Sequence, residues 1–591
     1  MQIDVITRPE ELKNLRENWD DLYARDPDAH FFVSWTFLST YLRRFEGTWF
    51  ILAARTGPAG SAYVALLPLR LRTRMKKKTG EVYHEINMGG NHAADYTGIV
   101  CAPESANRAI AAFAKHLKTM HWVSLHLENL RMSGRRVRCL MEHLSDSRLT
   151  MRKMKRVNQK DNVDNCICPE IELPDSWERY LEGNLSSNTR QKMRRYLRKL
   201  ESSSEFRITY ADASTIQRDI DILLDLWRIK WTERKGNLVP GLVKSNRLLF
   251  RDAFESGSLF LPVLWHHDRP LSALAIFVDP VKKSMLFHMV GRDETADMLP
   301  SGLVLHGHCI RRAIEQGFRT YDFLRGNEPY KYSFGVRETV LNCTLVRTKT
   351  GRNLGDRLDS RALGGAFREA SRLHAKGQFV QAENVCRQIL STDPHHSQAL
   401  YSLGHLVAAK GDHREARKCF GTLVALSPQS PKNWLCLGIA QQMLDDHSAA
   451  VESFGKAMDV SPDLAVARYA LGRSLLALQR SDEAADAFTL VLQNGSPAPE
   501  DVAVRAKARR QLQKLKEAQL YILKKPKPEM PTIQPSAPLG LTTLLDIARP
   551  APGGRSFSLK HKGDLVALGN YPEGTYPPSV TSGVVAQIYT K

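Results

Sequence analysis

A 34-residue period in the C-terminal half constrains this chain more than any other feature. Pro394, Pro428 and Pro462 are 34 residues apart, and so are Gly404, Gly438 and Gly472. Ala382, Ala416, Ala450 and Ala484 keep the same step, as do Phe420, Phe454 and Phe488. Four units result, beginning near Leu363, Ser397, Pro431 and Ala465, with Ala370 at the glycine position of the first and Ser496 at the proline position of the last. One such unit cannot bury an apolar face alone, so a stack of helix pairs sharing a continuous core is expected. Small Gly and Ala positions let the two helices of a unit approach, and the Phe is expected to fill the interface with the next unit. Proline, with no backbone N–H to donate, closes the second helix.

The period and its residue types resemble the tetratricopeptide repeat (TPR). An all-α solenoid is therefore expected over residues 363–498. Residues 499–524, PEDVAVRAKARRQLQKLKEAQLYILK, carry Val502, Ala506, Arg509 and Leu512 at helical spacing and read as the polar capping helix such a stack needs. Residues 525–591 are rich in Pro and Gly without a period and are expected to be disordered.

Charge separates the halves. The 591-residue chain holds 84 Lys+Arg against 63 Asp+Glu, a net +21, yet residues 363–498 hold 13 of each sign. The basic excess belongs mainly to the first 362 residues, which favours an anionic partner there and a protein or peptide partner in the neutral TPR groove. In the basic stretch NTRQKMRRYLRKLE, Arg190, Arg194 and Arg198 form one helical stripe and Met193, Leu197 and Leu200 another. Tyr196 is the one aromatic residue in it, so nucleic-acid stacking is not expected. No run of about 18 apolar residues occurs, so membrane contact is expected to be peripheral at most. Nine scattered cysteines, with Cys166 and Cys168 in neither a redox nor a zinc-knuckle spacing, suit a reduced, cytoplasmic chain. The pairs His266–His267 and His395–His396 lack an evident third ligand in sequence and read as loop residues; no metal site is expected.

The first 350 residues alternate strand-like and helix-like segments. Thr48 to Arg72 reads as two strands around a Gly/Pro turn, and Ser258 to Gly291 as three strands joined at HHDRP and DPVKK. A helix follows each group, at Ser105 to Met120 and at Ser301 to Gln316. The order occurs twice, which points to two similar α/β lobes, over residues 1–165 and 166–350.

Chemistry concentrates at the end of the second lobe. Ser301 is expected to cap the helix, Gly317 to stop it, and FRTYDFL to form a strand with Tyr321 and Phe323 on one face and Asp322 on the other. Gly326 then breaks the chain before Glu328, Pro329, Tyr330 and Lys331. A strand, a Pro-Ser-Gly turn and a helix N-terminus direct backbone N–H groups at one spot, which suits a pyrophosphate.

The segment LPSGLVLHGHCIRRAIEQGFRTYDFLRGNEPYKYSFG resembles the closing part of GNAT-like acyltransferases of the CelD/BcsL type, bacterial proteins associated with exopolysaccharide synthesis and distantly related to the FemABX peptidyltransferases. WTFLSTYLRRF and ADYTGIV extend the resemblance more loosely toward the N-terminus. Asn327 stands where that family commonly has Asp, and Phe334 where it commonly has Trp. The resemblance implies two tandem GNAT-like lobes and direct acyl transfer from a thioester such as acetyl-CoA to an amine or hydroxyl, with no metal and no tightly bound cofactor. It implies backbone groups at Ser301 and Gly302 for the carrier's phosphates, Asp322 or Glu328 as base, and Lys331 or Arg325 to stabilise charge. The alternatives are a catalytically inactive TPR scaffold and FemABX-like aminoacyl transfer from tRNA.

Overall fold

The computed structural model describes residues 1–91, 93–493 and 499–524. The expectation of a disordered tail over 525–591 lies outside the described residues. Two compact units form: one of Met1–Met75 with Val82–Ala362, the other of Lys76–Glu81 with the chain from Leu363.

The first unit is built on two sheets. Its principal strands are β1 (Gln2–Ile6), β2 (Thr48–Arg55), β3 (Ala65–Met75), β4 (Val82–Met88), β5 (Ser124–Leu130), β6 (Leu149–Lys153), β7 (Ile167–Glu172), β8 (Phe206–Tyr210), β9 (Pro262–His266), β10 (Arg269–Asp279), β11 (Ser284–Arg292), β12 (Thr320–Asp322), β13 (Arg337–Val340) and β14 (Asn342–Thr348). The first sheet runs β1-β2-β3-β4-β5-β14-β6 and the second β8-β9-β10-β11-β12-β7-β13. Both have one design: four antiparallel strands, a helix that crosses over, and a parallel neighbour. The helices are Ala106–Leu117 and Ser301–Glu315, and the parallel pairs β4·β5 and β11·β12.

The lobes exchange strands. β14 returns from the end of the second lobe and enters the first sheet between β5 and β6. This corrects the boundary drawn at 166–350: Val346 is buried in the core of the first sheet, so that strand belongs to the first lobe. Each sheet has helices on both faces, the inner ones contributing Phe37, Leu38, Ile220, Leu223 and Phe250 to the core between the sheets. Phe113 and Ile110 cover the first sheet, and Met193, Leu197, Val304 and Ile310 the second. The inner faces share one apolar core in which Ile51 and Leu66 of the first sheet join Ala273, Phe277 and Leu286 of the second. The basic segment forms the helix Ser187–Ser202 with Met193, Leu197 and Leu200 buried, as its spacing predicts. Its thioether lies so close to Gly307 that an added β-carbon there would stand 2.3 Å from the sulfur.

The second unit contains four helix pairs, from Leu363–Ala375 with Phe379–Thr392 to Ala465–Ala477 with Ser481–Gln493, followed by the helix Pro499–Lys524. Pro394, Pro428 and Pro462 each follow the end of a second helix. The regular spacing of Gly and Phe has the meaning expected of it, close approach within a unit and contact with the next. Phe420, Phe454 and Phe488 cover Gly404, Gly438 and Gly472 of their own units, where a β-carbon would stand 2.6 Å from each ring. The Phe454 cluster then reaches Ala467 and Ala470 of the next unit. Gly438→Val is therefore expected to destabilise this unit by about 1–3 kcal/mol, the usual cost of overpacking. An unchanged helical melting transition in that variant would refute the packing account.

Candidate functional site

The two sheets treat their parallel strands differently, and the site arises from that difference. In each lobe the parallel ladder lasts three residues: Glu85–Asn87 beside Ser124–His126, and Ser284–Leu286 beside Thr320–Asp322. Beyond it the strands diverge. In the first lobe the chain turns at Gly89-Gly90 and returns to fill the gap. Thr97 donates its N–H to Asn129 O at 2.9 Å and accepts from Arg131 N at 3.0 Å. In the second lobe β12 stops at Asp322 while β11 continues to Arg292. Among the described residues the β12 side of β11 therefore has no strand partner from Phe287 onward, and the helix Ser301–Glu315 follows β11 after an eight-residue loop.

Ser301 and Gly302 are the first two residues of that helix. Pro300, not Ser301, is its N-cap, and no side chain caps it. The expected capping role of Ser301 is corrected accordingly: Val304 N–H donates to Pro300 O at 3.1 Å, so the first helical hydrogen bond already starts at Pro300. An added β-carbon at Gly302 would meet nothing within 4 Å. The first N–H groups of a helix lack intrahelical partners, and the positive end of the helix dipole lies there.

Asp322 faces the other way, toward the first lobe, as alternation along the strand predicts. It is 2% exposed. Tyr96 Oη donates to its two oxygens at 2.8 and 3.0 Å, Arg131 Nη1 donates to Oδ2 at 2.7 Å, and Leu324 N donates to Oδ1 at 2.8 Å. Arg131 also donates to Glu170 at 2.5 Å, and its guanidinium lies 4.6 Å from the centre of the Tyr96 ring. Glu170 is directly opposite Asp322 in the β7·β12 ladder. Two buried carboxylates on adjacent strands thus clamp one arginine from the first lobe. Burial raises the Asp322 carboxyl above its ordinary value, against the opposing pull of Arg131. Asp322, Glu170 and Arg131 line a cavity of about 390 Å³ with Asp279, Lys282 and Arg337.

The other expected site residues lie elsewhere. Arg325 Nε donates to Asp95 Oδ1 at 2.7 Å, and Asp95 in turn approaches His288 Nδ1 at 3.4 Å. Burial alone would raise the Asp95 carboxyl, but Arg325 and His288 outweigh it and hold it well below the usual range. Lys331 is 3% exposed. Its ammonium donates to Arg325 O at 3.0 Å and Gly326 O at 2.9 Å and pairs with Glu328 at 2.9 Å. Glu328 and Lys331 therefore tie the Arg325–Lys331 loop to itself, and neither lines the Asp322 cavity. The expected convergence of Glu328 and Lys331 with Asp322 is not what the structure has. Leu324 and Gly326, both at positive φ (58° and 100°), bend the chain after Asp322, and Lys331 is spent on the carbonyls of Arg325 and Gly326 and on Glu328 within that bend.

Tyr96, Asp95, Arg131 and Glu170 were not among the expected site residues. The nearest sequence signal is ADYTGIV, whose Asp95 and Tyr96 belong to the segment that fills the first lobe's gap and reaches the second. The His266–His267 pair does have a third potential ligand, since Glu205 lies with both within 4.8 Å. His306 sits among Phe287, Phe323 and Phe334, with Nδ1 2.9 Å from Tyr321 Oη.

Burial lowers His306 from 6.5 to about 3, and His30 to about 3 as well, with Arg131 adding to the effect at His30. Both fold neutral, so the unfolded chain binds more protons between pH 6.5 and 3. Stability is complete above the unfolded value and is lost as pH falls through this window. The melting temperature of the two-lobe unit is expected to drop from pH 7 to pH 5, and equal melting at both would contradict the buried neutral state.

Comparison with known proteins gives three matches to family models. Residues 187–332 match a family described as an acetyltransferase (GNAT) domain, and residues 373–435 and 437–499 match two tetratricopeptide-repeat families. No curated protein sequence matches the chain. Among solved structures, FemX is similar over 59% of this chain and 97% of its own, at 11% identity and a TM-score of 0.40. A conserved protein of unknown function from Bacteroides thetaiotaomicron is similar over 59% of this chain and 100% of its own, at 11% identity and a TM-score of 0.36. MamA is similar over 26% of this chain and 97% of its own, at 22% identity and a TM-score of 0.22. The chain thus carries a GNAT-type acetyltransferase domain joined to tetratricopeptide repeats, and among the described residues no helix is long and apolar enough to cross a membrane.

Proposed function

We propose that the GNAT-type domain, acting with the first lobe, transfers an acyl group from acyl-CoA to an amine or hydroxyl acceptor, while the TPR unit recruits a protein partner. The observation that carries this reading is the divergence of β11 and β12, with a free helix N-terminus on one side and the Asp322 cavity on the other. The N–H groups at Ser301 and Gly302 hold the carrier's phosphates. The unpaired edge of β11 offers backbone partners to the amides of the carrier's arm.

The acceptor's nitrogen or oxygen attacks the thioester carbonyl carbon, the new C–N or C–O bond forms, and the C–S bond breaks to release CoA. Asp322 takes the acceptor's proton. Arg131, Leu324 and the Tyr96 hydroxyl, which is shared between both oxygens, hold the carboxylate at the wall of the cavity from which the acceptor approaches. Arg131 and Tyr96 position the carboxylate, and Arg325 and Lys331 shape the loop beside it. A sugar hydroxyl or amine is the acceptor class that the exopolysaccharide resemblance suggests.

Release of CoA thiol from acetyl-CoA, followed with amine and sugar acceptors, tests the reading, with binding of CoA measured in parallel. Gly302→Trp is expected to weaken CoA binding while the fold persists. Absence of CoA binding by the parent protein would overturn the proposal. The scaffold reading has its own support in the mutual neutralisation of Asp322, Glu170, Arg131 and Arg337, which a purely structural lock would also show.

A further inference from the structure

A second cavity, of about 310 Å³, lies between the helices Trp35–Arg44 and Val239–Glu255. Its walls include Phe37, Tyr41 and Phe45 on one side and Leu248, Leu249 and Ala253 on the other. The size falls at the lower end of small-molecule pockets, about 300–1,000 Å³, and far exceeds what an acetyl group would fill.

Two features connect it to the site already described. Phe31, 4% exposed, lines both this cavity and the one that Asp322 faces, so the two share a wall residue. Asn246, next to the lining residue Ser245, lies with its Oδ1 3.2 Å from His288 Nε2, and His288 is on the part of β11 that β12 leaves unpaired. Ala93, at the wall, is two residues from Asp95, the partner of Arg325. The apolar walls therefore begin where the thioester end of a bound carrier would stand.

At the mouth Arg44 pairs with Asp252. This neutralised pair gives an anionic headgroup no reason to enter from outside, which favours an uncharged chain held from within. Resting on the acyl-CoA reading above, we propose that this cavity receives the aliphatic chain of a medium-chain acyl donor, so that the preferred donor is longer than acetyl.

The test is calorimetric binding of CoA, acetyl-CoA, hexanoyl-CoA and octanoyl-CoA to the full chain. Affinity is expected to rise with chain length, at most about fourfold per buried methylene. Ala253→Phe should flatten that series while leaving CoA itself bound as before. Ala253 is buried, so Thr40→Trp on the opposite wall serves as a second variant with the same expectation. If CoA and acetyl-CoA bind but octanoyl-CoA binds no tighter, the chain-binding role is wrong and the donor reading stands. If neither variant changes the parent's length dependence, the chain lies elsewhere and the role is likewise refuted. If no CoA species binds, both fall.

Discussion

Asp322→Asn is expected to lower acyl transfer by about a hundredfold or more, the usual scale for losing a positioned proton acceptor, while the protein stays folded. The fold survives because Arg131 keeps Glu170 at 2.5 Å and because an amide can still accept from Tyr96 and Leu324. The pH profile supplies a second check. Burial raises the Asp322 carboxyl, so its basic form appears at higher pH than for an ordinary carboxylate. The rate should climb with pH through that raised value, and the limb should vanish in Asp322→Asn. Stability runs the other way: the folded state holds this proton more tightly than the unfolded one, so the contribution of Asp322 falls as pH rises above its unfolded value. Near-normal turnover in the variant, measured as CoA thiol release and with unchanged circular dichroism, would make Asp322 a structural lock between the lobes.

The TPR unit and the second lobe were legible in the sequence for different reasons. A repeat touches mainly its neighbours, so a 34-residue period records the contacts directly. The period also placed the rings: each Phe covers the Gly of its own unit, and Phe454 and Phe488 reach on to the element that follows, as the spacing led one to expect. Asp322 was legible as a residue facing away from Tyr321 and Phe323, since strand alternation is local. Its surroundings were not. Tyr96 and Arg131 are 226 and 191 residues away in sequence, and they reach Asp322 only through the tertiary fold, from the segment after Gly90 and from the end of β5. The exchange of β14 was hidden for the same reason: a strand's residues show that it is buried, not which sheet receives it.

Lys331→Met separates chemistry from architecture in the loop that follows Asp322. The sequence placed Lys331 among charge-stabilising candidates, whereas its ammonium is 3% exposed and donates to the carbonyls of Arg325 and Gly326. Removing it leaves two carbonyl groups without that donor, each at a cost of about 1–3 kcal/mol. The ion pair with Glu328 is lost as well, and although that side chain is 39% exposed as a whole, the oxygen facing Lys331 is buried, which adds to the cost. The substitution is therefore expected to destabilise the two-lobe unit by about 2–4 kcal/mol and to lower its melting temperature by several degrees, with the TPR transition unmoved. Activity at low temperature should fall less than in Asp322→Asn, since the loop displaced by the change carries Arg325 but not the proton acceptor. A variant with the parent's melting temperature and a hundredfold loss of turnover would reverse the assignment: Lys331 would then act on the reacting groups, and its bonds to the loop would be incidental to that role.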